Sequence, residues 1–143
     1  MIKKIIWALI LMSGIGFYLW AEFAGDDWLE AFNSERQQAA AEFFAKGEEQ
    51  GRVKTDAACF DDAIGQIAEC LSISCTVDAG QYLRGCWGVA ERAESFCDGV
   101  PEFQEEKTED EKEWARFACY DLNSRGDGCR LLMRQKQQHC ATQ

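Results

Sequence analysis

Proline and histidine are almost missing from this chain: Pro101 and His139 are the single examples among 143 residues. With so little proline, and with stretches rich in Gln, Glu, Ala and Arg, helix can run uninterrupted over long spans. The period-two patterning that marks strands is nearly absent. There is no Cys-x-x-Cys, the close pair that tunes a thiolate for disulfide exchange, and no catalytic or cofactor motif stands above background. No Asn-x-Ser/Thr acceptor and no low-complexity segment occur. Basic charge is scarce as well, with 15 Lys and Arg against 25 Asp and Glu. Every acid lies beyond residue 21, so residues 22–143 carry a net charge of −12. A surface this acidic repels nucleic acid and anionic lipid headgroups, and no nucleic-acid partner is expected.

The first 21 residues hold an apolar run instead. Ile5 to Ala21 is uncharged over seventeen residues, opened by Lys3 and Lys4 and closed by Glu22, Asp26 and Asp27. As a helix rising about 1.5 Å per residue it spans about 26 Å, the short end of what a bilayer core requires. Trp7 near one end, and Tyr18 with Trp20 at the other, stand where amphipathic rings favour the membrane interface. The two lysines favour a cytoplasmic N-terminus. Residues 1–4 are therefore expected as a cytoplasmic tail and residues 5–21 as a signal-anchor in the inner membrane of a Gram-negative-type envelope, with the remainder in the periplasm. A cleaved secretory signal, releasing a soluble exported protein, is the competing reading. It is weakened by Leu19-Trp20-Ala21, which puts Leu where cleavage prefers a small residue. Gly14 and Gly16, two apart, do not make a small-xxx-small face, which leaves a lipid-facing anchor.

The eight cysteines all lie downstream, at 59, 70, 75, 86, 97, 119, 129 and 140. An even number behind an exported leader predicts a disulfide framework formed in an oxidising compartment. Four crosslinks suit a domain too small to stabilise itself by core burial alone, since each contributes roughly 2–4 kcal/mol. Most separations are eleven residues or close to it, almost three helical turns, so the cysteines fall on one stripe of each helix. Two cysteines eleven apart on one helix are about 16 Å distant, beyond the roughly 7 Å that a disulfide permits, so pairing must run between helices. If two helices fold back about residues 71–77, Cys70 meets Cys75 and Cys59 meets Cys86, both pairs being centred on the same point. A second such hairpin brings Cys119 opposite Cys129, leaving Cys97 and Cys140 to tie the hairpins together. Cys97 with Cys119 and Cys129 with Cys140 is the alternative.

The expected fold is thus all-α: a transmembrane helix, then a disulfide-stapled domain of two α-hairpins. Asp27 and Glu30 resemble a capping box opening a first exported helix over about 27–46, ended by Gly47, so residues 22–54 read as amphipathic helix and linker. The domain proper is expected over 55–143. Its helix A begins near Thr55 or Asp56 and carries Cys59, Ala63, Ile67 and Cys70. Helix B begins at Asp78, boxed by Gln81, and runs through Cys86, Val89 and Ala93 to Cys97 and Gly99. An acidic loop follows, and Thr108 with Glu111 caps helix C, about 109–122, with Trp114, Phe117, Ala118 and Asp121 on one side. Helix D spans about 129–140, its Arg130, Arg134 and Lys136 opposing the acidic loop. The pairs Cys59–Cys70 and Cys75–Cys86 resemble the twin-cysteine helical hairpins of the mitochondrial intermembrane space. That resemblance covers residues 59–86, with spacers one residue longer than that family's and an anchor it lacks, and it implies shared geometry without kinship.

Candidate sites are few. Cys70-x4-Cys75 is the nearest approach to a redox pair, and it is read as a structural turn disulfide in preference. His139 beside Cys140 has the chemistry for zinc or a Cys-His nucleophile, but even pairing consumes every cysteine. Asp61-Asp62 lacks the alternation of a calcium loop. Arg125-Gly126-Asp127 spells an adhesion tripeptide made of ordinary turn residues. Trp28, Trp87 and Trp114 stand at helical spacing that suits a core. No catalytic, cofactor-binding or metal-ligating residue is expected. The expected function is a non-enzymatic protein-binding module, an accessory subunit, assembly factor or immunity protein. It would meet another envelope protein with a basic surface through Glu102, Glu105, Glu106, Glu109 and Trp114. An envelope thiol/disulfide redox protein and a secreted effector are the alternatives.

Overall fold

The computed structural model describes residues 2–70 and 72–142, without the side chains of Ile2 and of residues 22–26. Its regular structure is helical: α1 (Ile2–Gly51), α2 (Asp56–Ala68), α3 (Ile73–Trp87), α4 (Glu109–Asp121) and α5 (Asp127–Ala141). Among the described residues, an isolated parallel bridge between Thr55 and Glu91 is the sole β pairing. The chain divides into two compact units, one up to Gln38 and one from Ala39 onward.

In the first unit Lys3–Ala21 is long and apolar enough to cross a membrane, and none of it is buried in protein. By length and composition it can serve as a membrane anchor or a signal segment. No new helix starts at Asp27; α1 passes through it. Residues 22–30 contain no proline, and Gly25 costs about 1 kcal/mol in a helix interior, too little to end the helix. Trp28 and Phe32, one turn apart on this helix, stack with ring centroids 5.6 Å apart.

In the second unit the reading of Gly47 as a helix terminator is overturned. Gly47 lies inside α1 and is buried, and so is Gly51. A Cβ on Gly47 would fall 2.0 Å from the Tyr82 carbonyl oxygen, one on Gly51 2.3 Å from that of Cys86, and one on Gly85 2.1 Å from that of Phe44. These three glycines are the surface on which the end of α1 lies against α3, backbone to backbone. The helix therefore continues to Gly51, into the expected linker, and this end of α1 belongs to the compact unit that runs from Ala39 onward.

The α2 helix begins where the sequence indicates, with the Thr55 hydroxyl accepting from the Ala58 amide. The start of α3 is earlier than Asp78. Ser72 caps it, its hydroxyl accepting from the Cys75 amide, so the turn is shorter than the expected 71–77. It also ends earlier, at Trp87 with Gly88 as cap, and Cys97 sits outside any helix. The reason lies across the fold. The Asp56 amide donates to the Glu91 carbonyl at 2.9 Å and the Glu91 amide to the Lys54 carbonyl at 3.1 Å. Asp56 Oδ1 then accepts from the Ala93 amide at 2.9 Å. These bonds draw residues 91–93 off the helical path, and Val89, expected on the helix face, is exposed. Helix α4 carries the full capping box of Thr108 and Glu111. Its buried face is Glu111, Ala115 and Cys119, with Trp114 and Ala118 at the margin; Asp121 is exposed on the side of Trp114 and Ala118, and Phe117 points outward, against the expected face.

Four disulfides join Cys59 to Cys86, Cys70 to Cys75, Cys97 to Cys140 and Cys119 to Cys129, with Cα atoms 5.6–5.9 Å apart. The alternative Cys97–Cys119 and Cys129–Cys140 pairing does not form. Helix α2 packs chiefly on α3, and α4 on α5, while α5 also touches α2 and α3. Leu83 and Leu132, both 0% exposed, sit at the centre among the half-cystines.

The glycine contact makes a prediction. Gly47→Ala should lower stability by about 1–3 kcal/mol through overpacking, whereas Gly65→Ala, in open space on α2, should be neutral or raise it by up to about 1 kcal/mol. Guanidinium unfolding midpoints of the two variants check this, and equal midpoints would remove the close crossing.

Candidate functional site

The acidic segment is built from both of its ends. Pro101 and Gly99, at φ +70°, keep its first half out of helix, and Thr108 starts α4 at its far end. Between them the backbone is clamped by Arg134 of α5, whose guanidinium donates to the carbonyl oxygens of Gln104 and Glu105 and lies 3.9 Å over the Phe103 ring. The same guanidinium pairs with Glu111 at 3.1 Å. Of the three cations expected to oppose this segment, Arg134 is the one that reaches it. Arg130 instead pairs with Asp127 on its own helix, and Lys136 points to an aromatic cluster.

Glu111 is the member of the acidic run that is not solvated. It is buried and accepts hydrogen bonds from the Thr108 amide (2.8 Å), the Gln104 amide (3.2 Å), Arg134 (3.1 Å) and Gln137 (3.2 Å). The Thr108 bond is the main reason its carboxyl is held below the usual range, with Gln104, Arg134 and Gln137 acting in the same direction against burial. Glu102, Glu105, Glu106 and Glu109 stay exposed. Glu109 reaches Lys112 at 2.7 Å, one turn on, and that bond lowers its pKa.

Trp114 does not stand with those glutamates. Half-buried against the core, it lines a groove of about 330 Å³ with Phe60, Phe96 and Met133, and the acids around it are Asp61, Asp98 and Asp121. The expected site is thus divided: four glutamates on the loop and α4 start, and the tryptophan in a groove with three aspartates. The i, i+4, i+7 spacing of Trp114, Ala118 and Asp121 is the sequence signal that places one of those aspartates there. Asp61 and Asp98 come from other elements and carry no such signal.

Beside the groove lies the chain's single histidine. Its ring stacks on Trp87 at 4.3 Å and meets Phe96 edge-on, while Phe60 also stacks with the same indole, at 6.3 Å. His139 Nε2 is 3.7 Å from Oδ2 of Asp56, a buried carboxylate whose other oxygen caps the Ala57 and Ala93 amides. The Trp87 indole N–H donates to the Asp56 carbonyl oxygen at 2.9 Å. Burial pushes the His139 imidazole below its ordinary value, the Asp56 carboxylate opposes this, and Arg92 adds to it. Cys140, its neighbour, is disulfide-bonded and holds no thiolate for a zinc site or a nucleophile. Burial also pushes the Lys136 ammonium down, against Asp56 and Asp61.

Asp62 is likewise committed. It accepts from the Tyr82 hydroxyl at 2.7 Å and pairs with Lys54; burial would raise its carboxyl, but these bonds outweigh burial and hold it low. Burial first, and the Asp62 bond second, push the Tyr82 phenol well above its ordinary value. The Arg125-Gly126-Asp127 tripeptide forms a turn: Gly126 has φ +120°, Arg125 lies over the Tyr120 ring, and Asp127 opens α5. No family model, curated protein or solved structure matches this chain.

A pH response follows from His139. Its folded pKa lies below the unfolded value of about 6.5, so protonation favours the unfolded chain and stability is lost as pH falls through the window below that value. His139→Phe keeps a ring on Trp87 and takes no proton. Between about pH 7.5 and 5.5 the guanidinium midpoint of the native chain should fall more than that of the variant. Parallel profiles would exclude His139 from the acid response.

Proposed function

We propose that this protein is a non-enzymatic binding module of the cell envelope, tethered by residues 5–21 with residues 1–4 in the cytoplasm and the stapled domain in the periplasm. It docks another envelope protein with a basic surface, as an accessory subunit, assembly factor or immunity protein. In this reading the α2–α3 and α4–α5 pairs act as two hairpins cross-tied by Cys97–Cys140.

The observation that carries the reading is the Arg134 clamp. By binding Glu111 and the loop carbonyls from inside, it fixes the backbone so that Glu102, Glu105, Glu106 and Glu109 face solvent on a rigid frame. Ordered exposed charge of one sign steers encounter with a complementary patch, and a preordered loop loses little entropy when it docks.

Copurification of the full chain from detergent extracts tests this. Native protein should retain a basic polypeptide, in amounts that fall as salt rises. Glu105→Lys with Glu106→Lys and Glu109→Lys should reduce recovery by about tenfold or more, the scale of losing several complementary charges. Unchanged recovery would refute the surface.

A second reading has one observation in its favour. The Cys70–Cys75 bridge is half-exposed and Cys75 lies in the first turn of α3, where backbone amides and the helix dipole favour a thiolate. Thiol titration during graded reduction separates the two. The binding module predicts that no bridge opens under mild reductant, and a redox protein predicts that Cys70–Cys75 opens first.

A further inference from the structure

The groove that holds Trp114 has a composition the acidic loop does not share. Its floor is aromatic, from Phe60, Phe96 and Trp114, and Asp61, Asp98 and Asp121 stand along it. All three aspartates are exposed at the surface of the unit that begins at Ala39. One cation already uses these rings: the Lys136 ammonium lies 4.1 Å over the Phe96 ring and 5.3 Å from that of Phe60. Counting that ammonium against the three carboxylates leaves the groove with a net charge of −2.

Such a lining selects its occupant. A wholly apolar group would leave desolvated carboxylates without partners, which is costly. A hydrated metal ion would gain nothing from the aromatic floor. A guanidinium satisfies both features, because its flat face stacks on rings while its edge donates two parallel hydrogen bonds to a carboxylate. Its aliphatic stem would lie along Met133 and Ala118. We propose that this groove receives an arginine side chain from a basic segment of the partner protein, seated between the Phe60, Phe96 and Trp114 rings and the Asp61, Asp98 and Asp121 carboxylates. The inference rests on the partner-binding reading above and assigns it a pocket and an anchoring residue type.

The test uses the full chain in zwitterionic detergent micelles, titrated with a peptide of alternating arginine and alanine. The counterpart with glutamate in place of arginine is the control. The indole N–H resonance of Trp114, assigned by its loss in Trp114→Phe, is the readout. It should move saturably with the arginine peptide and stay still with the glutamate one. Replacing Asp61, Asp98 and Asp121 by Asn should weaken the arginine response by at least about tenfold, as expected for lost charge-assisted contacts. Asp121→Asn alone, on the exposed side of α4, should weaken it in part and serves if the triple variant loses its fold. An unmoved Trp114, or full affinity in the Asn variants, overturns the groove. If the peptide shifts the resonances of residues 102–109 and leaves Trp114 still, the groove falls and the acidic-surface reading stands. If neither region responds, both fall.

Discussion

Sulfur takes the place of interior volume in this domain. Its two largest wholly buried side chains are Leu83 and Leu132, and the next are the half-cystines Cys59, Cys86 and Cys129. A small unit with so few large apolar residues inside removes little surface from water, and its folded state depends on limiting the freedom of the unfolded chain. The bridges do this at different depths. Cys59–Cys86 is fully enclosed between α2 and α3, whereas Cys70–Cys75 lies at the edge beside the Ser72 cap. Such bonds form and persist most readily in an oxidising compartment, and the apolar N-terminal helix is long enough to serve as an anchor or a signal.

The second constraint is how the chain spends its acids. Most are solvated, but Asp56 and Glu111 are buried, and each holds backbone that belongs to no helix. Asp56 binds the Ala93 amide and Glu111 the Gln104 amide, so one carboxylate shapes each end of the long irregular stretch from Gly88 to Thr108. Buried carboxylates survive only where donors surround them, and both are placed at a helix start where amides are available. The segment bearing the exposed glutamates is held by Glu111 and Arg134, whose polar groups are satisfied internally. Exposed charge and structural ties come from the same residue type, separated by burial.

Much of the framework was legible because it is local. Thr55 and Thr108 announce α2 and α4 through side chains that reach amides three residues away, and the Thr108–Glu111 box closes entirely within one turn. Where two local signals compete, the sequence is ambiguous. Ser72 and Asp78 are both good caps, and Ser72 prevails because a start there lets Cys75 meet Cys70. Gly47 shows the opposite limit. A glycine after a helical run usually ends it, yet here the missing side chain is what lets α1 touch α3, a partner 35 residues further on at Tyr82. Phe117 misled in the same way: its spacing suits an inward face, but the face is set by where α5 lies.

The sequence by itself determined that the chain is helical, that its cysteines cannot pair along a single helix, and that an apolar segment precedes an acidic remainder. Each of these rests on helical periodicity, on the reach of a disulfide or on bulk composition, which are properties of residues and their near neighbours. Only the tertiary structure decided which acids are buried, which glycines are contacts, and that Trp114 shares a groove with Asp61, Asp98 and Asp121. Those facts depend on which surfaces meet after the helices pack, and packing joins residues whose separation along the chain carries no periodic mark.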